Sequence, residues 1–271
     1  MKKRIVSLAP SVTAILFGIG AQDQLVGVTK FCSDLSPVSD LPQIGDCWSA
    51  TPEQVTGLKP DLVLGSLPYK QETMQKLITI GVPFFLMYPK TITDIYNDIY
   101  WLGELTRHTE EAEQLVQWMK SQIESVQDAL KQIFYKPRVY CEEWMKPLIC
   151  SSGWVKQLVE IAGGEFVPDR STFEVAPEEV IEANPEIIVL AWCGAGGRSN
   201  PKKVMERAGW DKIEAVRTNR IYSLPDQYFN SPCQHLMTGL NMMAQVLHPE
   251  IFGAISVSFP HVLQKTWRDS S

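Results

Sequence analysis

A pattern that occurs twice, 125 residues apart, constrains the fold of this chain more than any other feature. The first copy is TPEQVTGLKPDLVLGS at 51–66, and the second is APEEVIEANPEIIVLAW at 176–192. The first prolines of the two copies, Pro52 and Pro177, suit the first turn of a helix, where no amide hydrogen is needed. The apolar run that ends each copy is typical of a buried strand in a parallel sheet. The shared offset therefore predicts two duplicated α/β lobes.

Strands and helices alternate along both halves of the sequence. The hydrophobic pattern predicts strands at 4–8, 26–29, 62–65, 83–89, 138–141, 187–191 and 221–224. It predicts helices at 12–18, 72–80 and 154–161, the second ending at Gly81 and the third at Gly163-Gly164. Alternation at this spacing predicts an α/β fold with parallel sheets that are wrapped by helices.

A long helical stretch separates the two halves. A helix is expected over Asp94 to Leu105, and a second one starts at Thr109, where Glu110 and Glu111 suit the first turn. Apolar residues keep helical spacing from there to Ile133, so this helix of about 25 residues spans roughly 37 Å. We therefore predict a lobe at 1–107, a single backbone helix at 108–136 and a lobe at 137–271. A rigid connection of this kind favours a largely preformed cleft between the lobes.

Composition excludes several classes of protein. The chain has a net charge of −6 and no long basic run, which argues against a nucleic-acid partner. None of the six cysteines forms a CxxC pair, and the four histidines are far apart, so the sequence predicts neither a zinc ribbon nor another metal site. Scattered cysteines are typical of a reducing compartment. The composition is otherwise that of an ordinary globular protein, and we expect a monomer.

The N-terminus allows two interpretations. Lys2, Lys3 and Arg4, followed by an apolar run, are similar to the start of a signal peptide. Pro10 and Ser11 interrupt that run, which favours a buried strand, a turn and a helix instead. With no convincing signal peptide, a cytoplasmic chain is favoured. Nowhere does the sequence reach the 18 apolar residues of a membrane span, so no membrane insertion is expected.

Aromatic residues follow nearly every predicted strand. Ligands of parallel α/β sheets bind just beyond the carboxyl ends of the strands, and aromatic rings there can stack on a planar ligand. We therefore predict a ligand cleft. The candidate ligand-binding residues are Phe31, Cys32, Trp48, Tyr69 and Tyr88 in the first lobe, and Glu143, Trp144, Trp192, Cys193 and Tyr228 in the second.

Three other chemistries are weaker hypotheses. The glycine-rich loop CGAGGRSN at 193–200 has serine where a dinucleotide fingerprint needs its last glycine, so we expect a flexible loop at the cleft edge. Cys32 or Cys193 could act as an enzyme's nucleophile, but no histidine has an evident route to either. Glu142 and Glu143 could act as acid and base, yet neighbours on a strand point to opposite sides, and surface glutamates are the simpler interpretation.

Several segments together resemble one family. RIVSLAPSVTAILFGIGAQDQLVGVT and the 51–66 segment resemble the start of substrate-binding proteins of ABC importers for vitamin B12 and iron-siderophores. VYCEEWMKPLICSSGWVKQLVEIAGG and RIYSLPDQYFNSPCQHLMTGLNMMAQVLHPE are similar to its cobalamin-binding branch. The similarity runs from about residue 4 to 253. It implies two Rossmann-like lobes joined by one backbone helix, with a corrin ring held among aromatic residues.

The resemblance also implies which residues contact the membrane permease of an importer. In such proteins an exposed acid on each lobe docks onto the membrane permease, and Glu72 matches the position in the first lobe. The second-lobe position falls at Phe229-Asn230, which is a departure that weighs against docking. The lack of a lipobox cysteine is a second departure, so a cytoplasmic protein is favoured here beside the extracytoplasmic location that the resemblance implies. The main hypothesis is therefore a non-enzymatic protein that binds cobalamin, or a related corrinoid, as a ligand. The alternatives are a haem or ferric-siderophore binding protein of the same fold, and an enzyme that uses Cys32 or Cys193.

Overall fold

The computed structural model describes residues 2–46, 48–66, 70–151, 153–169 and 174–255. The chain divides into two compact units. The first contains the described residues up to Trp118 together with Pro232–Gln234, and the second contains Met119–Ser231 and the described residues from His235 onward. This division falls inside the long helix, whereas the sequence predicts that 108–136 is a separate element. The three-part boundaries stay a prediction.

The first lobe is built on a parallel sheet. Its strands are β1 (Ile5–Ser7), β2 (Leu25–Thr29), β3 (Gln43–Ile44), β4 (Leu62–Ser66) and β5 (Phe84–Met87), in the order β3-β2-β1-β4-β5. Every neighbouring pair in it is parallel. Its helices are α1 (Pro10–Gly18), α2 (Pro52–Thr56), α3 (Gln71–Leu77) and α4 (Ile92–Thr106).

Local signals explain where these helices begin and end. Thr51 caps α2 through a reciprocal capping box with Gln54, and Pro52 occupies the first helical position as predicted. A second capping box between Thr91 and Asp94 starts α4 at Ile92, two residues before the predicted start. Gly81 has a φ of 71° and ends the turn after α3, which confirms the predicted C-cap.

The long helix α5 (Thr109–Ala129) has 21 residues and ends four residues before the predicted Ile133. Its apolar positions Ala112, Leu115, Val116 and Met119 are fully buried, as expected for one face of an amphipathic helix. Within the part of the chain that the structure describes, every helix is too short or too polar to cross a membrane.

The second lobe has a mixed sheet. Its strands are β6 (Arg138–Trp144), β7 (Ile149–Cys150), β8 (Glu165–Phe166), β9 (Ile187–Leu190) and β10 (Ile221–Ser223), in the order β10-β9-β6-β7, with β8 also paired to β6. All of these pairs are parallel except β6 with β7. The helices are α6 (Gly153–Ile161), α7 (Pro177–Ala183), α8 (Lys202–Met205), α9 (Glu214–Arg217), α10 (Leu236–Leu247) and α11 (Pro249–Phe252).

The structure confirms the repeated pattern and corrects one strand. In the two copies, Pro52 and Pro177 begin α2 and α7, and the apolar runs form β4 and β9. Strand β6, however, continues past the predicted end at 141, because its last residues pair with β7 in an antiparallel hairpin. Glu143 and Trp144 therefore belong to the strand itself and not to a loop after it.

Candidate functional site

Three exposed aromatic side chains lie at the carboxyl edge of the first-lobe sheet. Phe31 follows β2, Trp48 comes four residues after β3, and Tyr88 follows β5. Their exposed fractions are 43%, 65% and 57%. Since the strands are parallel, their carboxyl ends share one edge of the sheet, and large apolar groups left exposed there are typical of a ligand-binding surface.

Hydrogen bonds fix the backbone around Trp48. The carboxylate of Asp46 accepts from the Trp48 amide at 3.0 Å and from the Ser49 hydroxyl at 2.8 Å, and it lies 3.1 Å from the Lys30 ammonium. Burial raises the pKa of Asp46, but these bonds from Ser49, Trp48 and Lys30 outweigh it and leave the pKa below its usual value. The Thr73 hydroxyl of α3 donates to the Trp48 carbonyl at 3.2 Å. The segment that carries Trp48 is therefore held from two sides.

The structure does not support a ligand contact by Cys32. Its side chain is fully buried, with the sulfur 3.1 Å from the Thr13 hydroxyl and 3.3 Å from the Thr29 hydroxyl. The reason is the short 3₁₀ helix Lys30–Asp34, which leaves Phe31 exposed and Cys32 inside. Burial raises the pKa of the Cys32 thiol, although bonds to Thr13 and Thr29 lower it in part. Tyr69, the remaining first-lobe candidate, lies outside the described residues.

The second-lobe candidates lie at the ends of β6, β9 and β10. Trp144 is exposed, and its indole nitrogen donates to the Lys146 carbonyl at 3.0 Å. Trp192 and Cys193 follow β9, and Tyr228 ends a short 3₁₀ helix after β10. The Cys193 sulfur lies 3.6 Å from a Glu143 carboxylate oxygen, so these two candidates are brought together.

The thiol of Cys193 is poorly suited to nucleophilic catalysis. Cys193 is an exposed residue. Partial desolvation of its thiol first, and then the negative charge of Glu143, raises its pKa to about 12, although the Asn230 amide that donates to the sulfur at 3.2 Å acts in the opposite direction. Only the thiolate is a strong nucleophile, and at neutral pH almost none of it would form. Among the described residues, no group of three or more His, Cys, Asp or Glu side chains is arranged to hold a metal ion.

The glycine-rich loop after β9 is held by hydrogen bonds, whereas its sequence predicts a flexible loop. The carboxylate of Asp226 accepts from the amides of Gly194 and Gly196 at 2.8 and 2.7 Å. Both glycines have positive φ, which side chains with a Cβ rarely adopt. Because the carboxylate already occupies these amides, the loop is not an open cradle for a phosphate.

A buried charge cluster that no local sequence pattern predicts lies directly beneath Trp192. Glu142 was interpreted as a surface glutamate, which is wrong, because its side chain has no exposed area. Its two oxygens accept from Arg207 at 2.7 Å each, from the Trp192 indole at 2.9 Å and from the Tyr140 hydroxyl at 3.1 Å. A charge inside a buried strand requires such partners. The need of a charged residue in an apolar strand for a partner is the sequence signal for this cluster. That signal does not identify the partner, because Arg207 lies 65 residues away.

A cavity of about 1010 Å³ lies beside this cluster within the second lobe. Its lining comes from the hairpin turn at 145–148, from 174–179 at the start of α7, and from Arg207, Ala208 and Trp210. The Arg207 guanidinium lies 4.4 Å from the centre of the Trp210 ring, and that ring packs edge-on against Tyr140 at 6.0 Å. The arginine is thus held by a carboxylate and by an aromatic face.

The expected docking residues differ between the lobes. Glu72 is exposed in the first turn of α3 and lies 2.8 Å from the Lys70 ammonium, whose hydrogen bond and charge lower the Glu72 pKa. At the second-lobe position, Phe229 is fully buried and the Asn230 amide donates to the Ala191 carbonyl at 2.8 Å. The structure therefore places an exposed acid at the first-lobe position and none at 229–230.

Comparison with known proteins identifies relatives along most of the chain. The family model described as periplasmic binding protein matches residues 5–228. An uncharacterized ABC transporter substrate-binding lipoprotein of Bacillus subtilis is 27% identical over 261 residues, covering 92% of this chain and 81% of the relative. A vitamin B12-binding protein of Yersinia pestis is 28% identical over 197 residues, covering 70% of this chain and 69% of the relative.

Solved structures share the fold at lower identity. An ABC transporter substrate-binding protein of Listeria monocytogenes has a TM-score of 0.80 at 22% identity, covering 92% of this chain and 99% of that one. A periplasmic heme-binding protein of Roseiflexus has a TM-score of 0.77 at 21% identity, covering 93% of this chain and 98% of that one. The periplasmic vitamin B12 binding protein of Vibrio cholerae has a TM-score of 0.69 at 22% identity, covering 90% of this chain and 96% of that one. These matches confirm the α/β fold class.

Proposed function

This chain belongs to the periplasmic binding protein family, and from that premise we propose that it binds cobalamin or a related corrinoid for an ABC importer. Relatives in this family are substrate-binding proteins of ABC transporters, which bind a small molecule and deliver it to a permease. The observation that carries the choice of ligand is the row of exposed aromatic side chains at the strand ends. A vitamin B12-binding protein among the relatives supports it.

The aromatic residues suit a large, flat and mostly apolar ligand. Phe31, Trp48 and Tyr88 in the first lobe and Trp144 in the second are each more than two-fifths exposed. Covering such rings with a planar macrocycle removes apolar area from water and allows stacking. We propose that these residues, with Tyr69, Glu143, Trp192, Cys193 and Tyr228, contact the ligand. Their placement around one cleft between the lobes stays a prediction.

The charges near these rings favour a corrinoid over an anionic ligand. Haem, through its propionates, and those ferric siderophores that are anionic would need free cations. Lys30 lies 3.1 Å from Asp46, Lys70 lies 2.8 Å from Glu72, and Arg207 is bonded to Glu142. Each of these three cations has an acidic partner, which weakens its attraction for an anion, whereas Lys90 lies 3.5 Å from the centre of the Tyr88 ring. Haem or a ferric siderophore is therefore the competing proposal, which direct binding must decide.

We propose a non-enzymatic role outside the cytoplasm. Substrate-binding proteins of ABC transporters are not enzymes, and the raised pKa values of Cys32 and Cys193 argue against thiolate chemistry. The expectation of a cytoplasmic chain is not supported, since the family is named for the periplasm and one relative is a lipoprotein. Glu72 is the proposed contact to a permease from the first lobe.

Competition binding tests the ligand. The full chain is titrated calorimetrically with cyanocobalamin, with hemin and with ferrichrome, and each pair is then measured in competition. We expect cyanocobalamin to bind with a Kd at or below about 1 μM, and at least tenfold more tightly than either other ligand. Tighter binding of hemin or ferrichrome would replace the corrinoid as ligand. Binding of none of the three would contradict the proposal.

A further inference from the structure

Glu142 holds a negative charge inside β6, immediately below a proposed ligand-binding residue. All of its partners belong to the second lobe: Trp192 follows the neighbouring strand β9, Tyr140 lies two residues earlier on β6, and Arg207 follows α8. The four bonds use both carboxylate oxygens. A buried carboxylate that is fully satisfied in this way has one preferred arrangement, because losing any partner leaves a desolvated charge.

The hydrogen bond between Trp192 and Glu142 determines which part of the Trp192 side chain can contact a ligand. Its indole N–H is its single polar group, and that group points to Glu142 at 2.9 Å. The ring is consequently fixed in orientation, and only its carbon surface is left for a ligand at the half-buried strand end. A ring held in this way favours stacking on a planar molecule over hydrogen bonding.

The bonds to Arg207 determine the charge at the same place. Both terminal nitrogens of the guanidinium donate to Glu142, and the face of the group lies against Trp210. The Arg207 side chain is 16% exposed. A paired arginine at such a site contributes little attraction to an anion, whereas an unpaired one contributes more where the dielectric is low. Buried ion pairs of this kind add little stability compared with apolar residues of similar volume, so a role in specificity is the better explanation.

We propose that Glu142 is a positioning and specificity residue, which fixes the Trp192 ring and neutralises Arg207 so that the second-lobe edge selects an uncharged planar ligand over an anionic one. The proposal rests on the ligand-binding function proposed above. It differs from a purely structural role in one measurable respect. Loss of a structural bond weakens all ligands together, whereas loss of this charge changes the ratio of affinities between an uncharged and an anionic ligand.

The test compares Glu142→Gln with a matched control. Glu186 is also buried, pairs with Arg138 at 3.3 Å, and precedes β9 at the amino end of the strands, away from the carboxyl edge. Both variants therefore remove the charge of a buried glutamate that pairs with an arginine of the same lobe, although Arg138 is more exposed than Arg207. Cyanocobalamin serves as the probe without carboxylates and hemin as the anionic probe. Thermal unfolding is measured in parallel to identify any variant that fails to fold.

We expect Glu142→Gln to weaken cyanocobalamin binding and to shift the affinity ratio toward hemin by about tenfold or more, since Arg207 then carries an unpaired charge. Glu186→Gln should leave the ratio within about twofold of the wild type. The double variant Glu142→Gln/Arg207→Met, in which neither charge remains, should return the ratio toward the wild-type value. Equal shifts in Glu142→Gln and Glu186→Gln, or an unchanged ratio in Glu142→Gln, would overturn the specificity role.

A second measurement tests the positioning role without any ligand. The indole N–H of Trp192 is identified in a ¹H–¹⁵N spectrum as the signal lost in Trp192→Phe. We expect slow exchange of this proton with solvent in the wild type, and faster exchange in Glu142→Gln but not in Glu186→Gln. Rapid exchange in the wild type would overturn the positioning role. If the wild type binds neither probe, the proposed function and the specificity role both fail, and the Trp192 signal alone decides the positioning role.

Discussion

Replacing Trp48 with alanine should weaken corrinoid binding while leaving the protein folded. A tryptophan side chain has roughly 200 Å² of surface that can be buried. Trp48 is 65% exposed, so about 130 Å² of its surface is still accessible to a ligand. A flat ligand covers one of the two ring faces, or about 65 Å². At about 25 cal/mol per Å² this contact is worth about 1.6 kcal/mol, which corresponds to roughly a fifteenfold change in Kd.

The matched control is Trp101→Ala. Trp101 is 57% exposed and lies in the second half of α4, away from the strand ends, where it packs against Phe85 at 6.4 Å. Calorimetric titration with cyanocobalamin should give the loss for Trp48→Ala and a change below about twofold for Trp101→Ala. A Trp48→Ala variant that binds as the wild type does, or an equal loss in both variants, would refute the placement of the ligand at the strand ends.

Three further predictions concern the groups around the site. Cys193 should react with iodoacetamide at pH 7 far more slowly than a free cysteine, because its pKa is raised to about 12; rapid labelling measured by mass spectrometry would contradict this. Asp46→Asn should lower the free energy of unfolding at neutral pH. The pKa of Asp46 is lower in the folded protein than its ordinary value of 3.8. The difference in free energy of unfolding between the wild type and Asp46→Asn is therefore present above pH 3.8 and is lost as the pH falls through the folded pKa. Denaturant titrations that give the same difference at pH 7 and pH 2 would refute this reasoning. Arg207→Met should cost about 3–5 kcal/mol because Glu142 is left buried and unpaired, while Glu142→Gln/Arg207→Met should cost much less; equal losses in chemical denaturation would show that the charge is not the cause.

Much of the fold could be predicted because its signals are local. Pro52 and Pro177 begin helices where proline is tolerated, and the apolar runs after Pro60 and Pro185 form β4 and β9, since a strand covered on both faces needs apolar residues throughout. Gly81 ends its turn with a positive φ that other residues rarely adopt. Each of these features depends on a few neighbouring residues, so the sequence alone specifies it.

The candidate site was predicted less completely because it depends on partners that are distant in sequence. Counting from strand ends found Phe31, Trp48 and Tyr88, whose backbone positions follow directly from the strands. It could not tell that the 3₁₀ turn after β2 buries Cys32, since that depends on how Thr13 packs beneath it.

Contacts with distant elements also determine the length of β6 and the environment of Glu142 in the second lobe. Strand β6 is longer than predicted because of its pairing with β7, which a period-two pattern does not reveal. Glu142 was misassigned because its environment is set by Arg207, which lies beyond α8 and well outside any local window. These are effects of tertiary contacts on groups whose local sequence is uninformative.

The most direct test of the central proposal is a calorimetric titration of cyanocobalamin into the wild-type chain at neutral pH. We predict saturable binding of one molecule per chain with a Kd at or below about 1 μM, accompanied by a negative heat-capacity change from the apolar area that the aromatic rings bury. The absence of measurable heat and of any shift in the visible absorption bands of cobalamin at about 100 μM protein would contradict it.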